Sequence, residues 1–154
     1  MKPLLLLGLA ALLLGCAPKQ APYTSTVGAT FVDNPSDGLV TVQSDGLGRN
    51  ARDAEADAID RAFTAILFRG LPKFSALSRP LVTSERDFLN ANPGFRDGFF
   101  AGGGYRRFLS EEWPATEKSQ PGEKRVSKKM TINYAALRRH LEEEGMIRKF
   151  GYKK

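Results

Sequence analysis

The stretch LVTVQSDGLGRNARDAEADAIDRAFTAILFRGLP, from Leu39 to Pro72, constrains the fold more than any other part of the chain. Val40 and Val42 alternate with Thr41 and Gln43, the period-two pattern of a strand with one buried face. Asp45-Gly46 and Gly48 then read as the end of that strand and a tight turn. Asn50 is a good helix N-cap, and Asp53 three residues on imitates a capping box. Asp53, Glu55 and Asp57 place negative charge where the start of a helix favours it. Gly70 ends the helix and Pro72 prevents its restart.

Along this helix Ala51, Ala54, Ala58, Ala62 and Ala65 recur at spacings of three and four, with Ile59, Phe63 and Ile66 beside them. They form a broad apolar face whose small residues let a helix sit close to a sheet. Asp53, Asp57 and Asp60 fall opposite and read as a solvated row. A calcium site would need loop oxygens and a glycine spacing that this row lacks, so no metal is expected. Gly46 to Ala51 also fits G-x-G-x-x-A, the form of a dinucleotide fingerprint. No second strand ending in Asp or Glu follows, and the chain offers no further βαβ units. The glycines are therefore read as a turn allowing close helix–sheet packing, and no cofactor is expected.

A chain of 154 residues has room for one domain. Its start, Met1-Lys2, is positively charged, and Leu4–Leu14 is apolar but too short for a usual membrane span. That run ends in Leu13-Leu14-Gly15-Cys16, which resembles the lipobox of bacterial lipoprotein signal peptides. Leu13, Gly15 and Cys16 match, whereas Leu14 stands where Ala or Ser is more common. The resemblance implies that residues 1–15 are a signal peptide and that Cys16 carries lipid and anchors the chain to a membrane. Several acyl chains anchor stably where one does not. Cys16 is the single cysteine, so no thiol remains for a disulfide, a metal or catalysis. Ala17, in place of an inner-membrane retention Asp, points to the outer membrane and a periplasm-facing domain. Nucleic acid is not an expected partner there.

Residues 16–37 are rich in Pro, Ser, Thr and Gly and read as a lipidated tether, with a short strand at Ala29–Val32. Residues 38–154 read as a single α+β domain. Beyond Pro72, Ser84 caps a short helix running to Asn90, with Phe88 and Leu89 buried, and Pro93-Gly94 ends it. The run FRDGFFAGGGYRRF, Phe95 to Phe108, holds three successive glycines that suit a flexible turn. It is no phosphate loop, because the Lys-Ser/Thr ending is absent. Its aromatics and arginines read as a core edge with snorkelling cations. Tyr105–Ser110 and Arg125–Ile132 read as an antiparallel hairpin around a polar loop, Glu111–Glu123. Val126, Met130 and Ile132 would face the core, and Arg125, Ser127, Lys129 and Thr131 would point outward. Asn133 caps a helix from Tyr134 to Glu144 with Tyr134, Leu137 and Leu141 buried. Arg138–Glu142, Arg139–Glu143 and His140–Glu144 are spaced for helical ion pairs. Met146–Phe150 reads as a terminal edge strand.

Catalytic patterns are missing. His140 is the single histidine, no Ser lies in a G-x-S-x-G elbow, and the carboxylate clusters Glu111-Glu112 and Glu142–Glu144 read as solvated. The expectation is a protein that is not an enzyme. The net charge of +6 is partly clustered, in Lys124, Arg125, Lys128 and Lys129 and in Arg148, Lys149, Lys153 and Lys154. It reads as solubilising charge, with an anionic cell-wall glycan as the alternative partner. Arg106, Arg107, Arg125 and Lys129 are the candidate binding surface.

A strand, G-x-G, alanines every three or four residues and a later hairpin together resemble two groups of bacterial envelope proteins. These are the small outer-membrane lipoproteins of the Lpp20 type and the N-terminal domain of the flagellar assembly protein FlgT. The motifs YRRFL, Tyr105–Leu109, and ALRRHLEEEGMIRKFG, Ala136–Gly151, resemble uncharacterised lipoproteins of the Bacteroidetes type. The resemblance spans Leu39 to Tyr152 and rests on packing motifs, so no catalytic residue carries over. It implies an α+β envelope domain acting through protein contacts. The elements read from the residues assemble into a small, largely antiparallel sheet with two main helices, Ala51–Arg69 and Tyr134–Glu144, on one face. With the lipobox and the missing catalytic patterns, the expectation is a non-catalytic, lipid-anchored envelope protein serving the assembly or structure of a periplasmic or surface complex. A peptidoglycan- or anionic-glycan-binding module is the alternative.

Overall fold

The computed structural model describes residues 28–120 and 123–149. The lipobox, Cys16 and Phe150 lie outside them, and Met146–Lys149, expected to begin a terminal edge strand, forms none. In chain order the elements are β1 (Ala29–Asp33), β2 (Leu39–Gly48), α1 (Ala51–Thr64), α2 (Glu85–Ala91), β3 (Leu109–Glu112), β4 (Thr116–Gln120), β5 (Glu123–Asn133) and α3 (Tyr134–Glu143). The strands form one antiparallel sheet of order β1-β2-β5-β3, with β4 also paired to β5. The fold is α+β.

The centre of the sheet is the β2–β5 pair, continuous from Leu39↔Asn133 to Gly48↔Lys124. β2 therefore does not stop at Asp45-Gly46 as the sequence suggests, but runs through both glycines. The reason is the helix above. A Cβ on Gly46 would lie 2.0 Å from the Ala54 carbonyl oxygen and 2.4 Å from the Ala58 nitrogen. The glycines are where the α1 backbone touches the strand, a recognised use of glycine within sheets. The connection to α1 shrinks to Arg49-Asn50, and the Asp53 N–H donates to Asn50 Oδ1 at 2.9 Å, the expected cap.

Ala54, Ala58 and Ala62 are fully buried, with Ile59, Phe63 and Ile66 beside them, whereas Ala51 at the start of the row is exposed. α1 passes into a wider π-helical turn, Ala65–Arg69, closed by the Gly70 N–H on Ala65 O. Such widening leaves carbonyls without helical partners. Leu81 N–H and Val82 N–H take up those of Ile66 and Leu67. Val40, Val42, Met130 and Ile132 of the sheet share one core with Phe63, Ile66, Leu137 and Leu141. Phe31 stacks on Phe74, and Phe74 meets the Tyr134 edge, so α3 lies on the same side of the sheet as α1.

The hairpin expectation is corrected in two places. Gly104–Phe108 is a 3-10 turn, and the strand begins only at Leu109. Gly103 has φ +72°, and a Cβ on Gly102 or Gly104 would lie 2.8 or 2.9 Å from Gly98 O. The three glycines fold the chain tightly back on the π-helical turn Asp97–Ala101. The segment expected to be a loop, Glu111–Glu123, contains β4. β3 pairs with Met130–Ile132 and β4 with Glu123–Ser127, so they are successive parts of one edge, interrupted at Trp113–Ala115.

Candidate functional site

Alternation along the strands separates two faces. The core face carries Val40, Val42, Val126, Met130 and Ile132. The other carries Thr30, Thr41, Gln43 and Asp45 from β1 and β2, and Arg125, Ser127, Lys129 and Thr131 from β5. None of these residues belongs to an apolar cluster among the described residues. They bond to one another: Thr41 Oγ1 lies 2.8 Å from Thr131 Oγ1, and Gln43 Nε2 donates to Ser127 Oγ at 2.8 Å. Arg125, Ser127, Lys129 and Thr131 point away from the core as expected, yet Ser127 and Thr131 are buried. At the break between β3 and β4, Trp113 donates its N–H to Lys129 O, and the Lys129 ammonium lies 4.2 Å from the indole centroid. Such a cation–π contact is worth about 0.5–1 kcal/mol near the surface. Farther along β5, Arg125 Nε is buried without a hydrogen-bond partner.

The basic cluster read from the sequence is split. Lys128 points to the core side and is buried. Its ammonium donates to Glu55 at 2.6 Å, lies 3.0 Å from Glu112, and reaches the Trp113 carbonyl at 3.4 Å. Burial alone would lower its pKa; hydrogen bonds to the two carboxylates outweigh this and hold it above the ordinary lysine value. The acidic row of α1 is corrected as well. Asp57 is not simply solvated: its Oδ2 accepts the Leu47 N–H at 2.8 Å and Arg61 Nε at 2.6 Å, tying strand to helix.

Arg106 and Arg107 are exposed on the 3-10 turn, away from Arg125. Leu109 pairs with Ile132, seven residues up β5 from Arg125, a strand distance of roughly 23 Å at 3.3 Å per residue. The structure thus brings Arg125 and Lys129 onto one face and leaves Arg106 and Arg107 elsewhere. Arg107 Nε donates to Gly104 O, and its guanidinium lies over the Phe108 ring at 5.4 Å. Arg107 also borders a cleft of about 390 Å³ with Phe95, Phe99, His140 and Met146. Sequence reasoning did not find this cleft, because its walls come from separate segments that only the aromatic packing unites.

Among the described residues no group of three or more His, Cys, Asp or Glu is placed to hold a metal ion, and no helix is long and apolar enough to cross a membrane. Compared with known proteins, the chain matches no family, no curated protein and no solved structure.

Proposed function

We propose that this is a non-catalytic, lipid-anchored protein of the bacterial cell envelope, held at the outer membrane through Cys16, that serves the assembly or structure of a larger complex. The observation that supports it is the one-sided sheet. The described helices that share the core lie on one face, while the other carries the buried Thr41–Thr131 pair and the exposed Gln43 bonded to Ser127, beside Trp113. Val32, an exposed apolar residue, sits on the β1 edge next to it. Such a face is suited to protein contact, since Thr41, Thr131, Gln43 and Ser127 already satisfy one another and aromatic residues are enriched in interfaces. A photocrosslinker at Gln43, in cells of the native host, tests this. A discrete adduct with one envelope protein is expected, absent for Cys16→Ser, which also takes up no labelled palmitate. An adduct equally strong from Arg52, on exposed α1 surface, would remove the sheet face from the reading.

A second reading is carried by the Lys129–Trp113 contact with Arg125 on the same face: a module for peptidoglycan or another anionic glycan. Arg125→Glu with Lys129→Glu should then abolish sedimentation with purified cell wall. Binding should also fall as salt shortens electrostatic reach to about 8–10 Å. A crosslinked complex that survives the double reversal favours the assembly reading instead.

A further inference from the structure

We infer that the cleft beside α3 is a binding site for a small organic monocarboxylate with an apolar body, separate from the sheet face. Its floor is apolar: Phe95 and Phe99 stack at 4.9 Å, and Met146 stands at one side. Its polar groups are Arg107, His140 and Asn92, and no Asp or Glu lines it. Among the described residues Arg107 has no carboxylate partner within 4 Å, although Arg96, also on this segment, is paired with Asp60 and Glu85. The hydrogen bond from Arg107 Nε to Gly104 O and the Phe108 ring beneath hold its guanidinium in place. A planar guanidinium held this way, at the edge of an apolar wall, matches the two oxygens of a carboxylate. The His140 ring packs against Phe108 with centroids 5.5 Å apart, lines the same cleft, and adds a second nitrogen donor. A volume of about 390 Å³ accepts a ligand the size of a medium-chain acid or an arylalkanoic acid.

Two glycines supply an independent observation. Gly94 and Gly98 both line the cleft, neither has positive φ, and a Cβ on either would meet no atom within 4 Å. Neither backbone geometry nor packing calls for glycine there, and glycine carries the largest conformational-entropy cost of any residue. Their contrast is Gly102 and Gly104 in the same segment, where a side chain would collide with Gly98 O. What the bare positions 94 and 98 preserve is the space above Phe95 and Phe99.

The test is titration of the full chain, ¹⁵N-labelled, with octanoate, and with octan-1-ol and octylamine as equal-length controls. Octanoate should shift the amides of Gly98, Gly104 and Met146 saturably. Octan-1-ol should bind at least tenfold more weakly and octylamine not at all. Arg107→Met, at an exposed position, should reduce octanoate affinity at least tenfold, to that of the alcohol. Gly98→Leu should abolish binding with no fall in the unfolding midpoint. The inference is overturned if octanoate gives no saturable shifts, if octylamine binds equally, or if affinity survives both Arg107→Met and Gly98→Leu.

Discussion

The ammonium of Lys128 lies 2.6 Å from the Glu55 carboxylate on α1, with 4% of the lysine side chain exposed. Glu112, at the end of β3, completes the pair at 3.0 Å, and the Trp113 carbonyl accepts as well. One buried cation thus joins the helix, the central strand and the point where the edge strand breaks. Glu55 and Glu112 are about two-fifths exposed, so the acids can recover water that the lysine cannot.

That asymmetry sets the order of two variants. Glu55→Gln with Glu112→Gln leaves an ammonium buried without its counter-charges and should cost about 3 kcal/mol, the low end for a broken buried pair. Lys128→Met removes the buried charge and should cost less, about 1–2 kcal/mol, because the freed carboxylates hydrate. Urea unfolding at pH 7 checks the order. The raised pKa of Lys128 also has a sign. Its stabilising contribution is complete below the unfolded value near 10.5 and is lost as pH rises through the higher folded value. The stability difference between wild type and Lys128→Met should therefore stay constant from pH 7 to about 10 and shrink above it.

Gly46 carries the closest helix–strand approach. Gly46→Ala should displace α1 and cost about 3 kcal/mol or more, since the new atom would overlap the α1 backbone at Ala54 and Ala58. Ala62→Leu, on the same fully buried face, should cost about 1–3 kcal/mol. Gly98→Ala, with open space around its Cβ, should be neutral or stabilising. Thermal unfolding of the three variants separates them.

Asp57→Ala leaves the Leu47 N–H without its acceptor and removes the Asp57 contact of Arg61. A loss of about 1–2 kcal/mol is expected, since both groups are half-buried. Asp57→Asn, which keeps an acceptor oxygen, should lose less. Faster hydrogen exchange at the Leu47 amide in Asp57→Ala would identify the bond responsible; unchanged exchange would exclude it.

Thr41 and Thr131 form a test of pairing in the polar face. Thr41→Val and Thr131→Val should each cost about 1 kcal/mol, because a buried hydroxyl is left unpaired. The double variant replaces both hydroxyls with methyl groups and should cost less than the sum. The coupling in a double-mutant cycle should reach at least about 0.5 kcal/mol. Strict additivity would mean the hydroxyls contribute independently.

Much of the local structure was legible in residue order. Alternation at Val40 and Val42 marked β2, Asn50 and Ser84 marked helix starts, and the alanine spacing marked the buried face of α1. Each signal is local: a capping oxygen three residues from its N–H, or a side-chain period set by backbone geometry. The outward direction of Arg125 and Lys129 followed from the same period. Where a signal needed a partner distant in sequence, the local reading misassigned it. Gly46 read as a turn because glycine disfavours strands, and Tyr105–Ser110 read as a strand because its composition favours one.

The sequence by itself determined the helices α1 and α3, the start of α2, the core face of the central strands and the α+β class, since these depend on propensity, caps and hydrophobic period. Only the tertiary structure decided that Lys128 is an internal counter-ion and that the outward Lys129 lies over Trp113. Only it decided that Asp57 holds β2 and that Phe95, Arg107, His140 and Met146 border one cleft. The physical reason is common to all three. Burial, pairing and concavity belong to sets of residues brought together across long sequence separations, and no single residue's spacing or chemistry encodes its partners there.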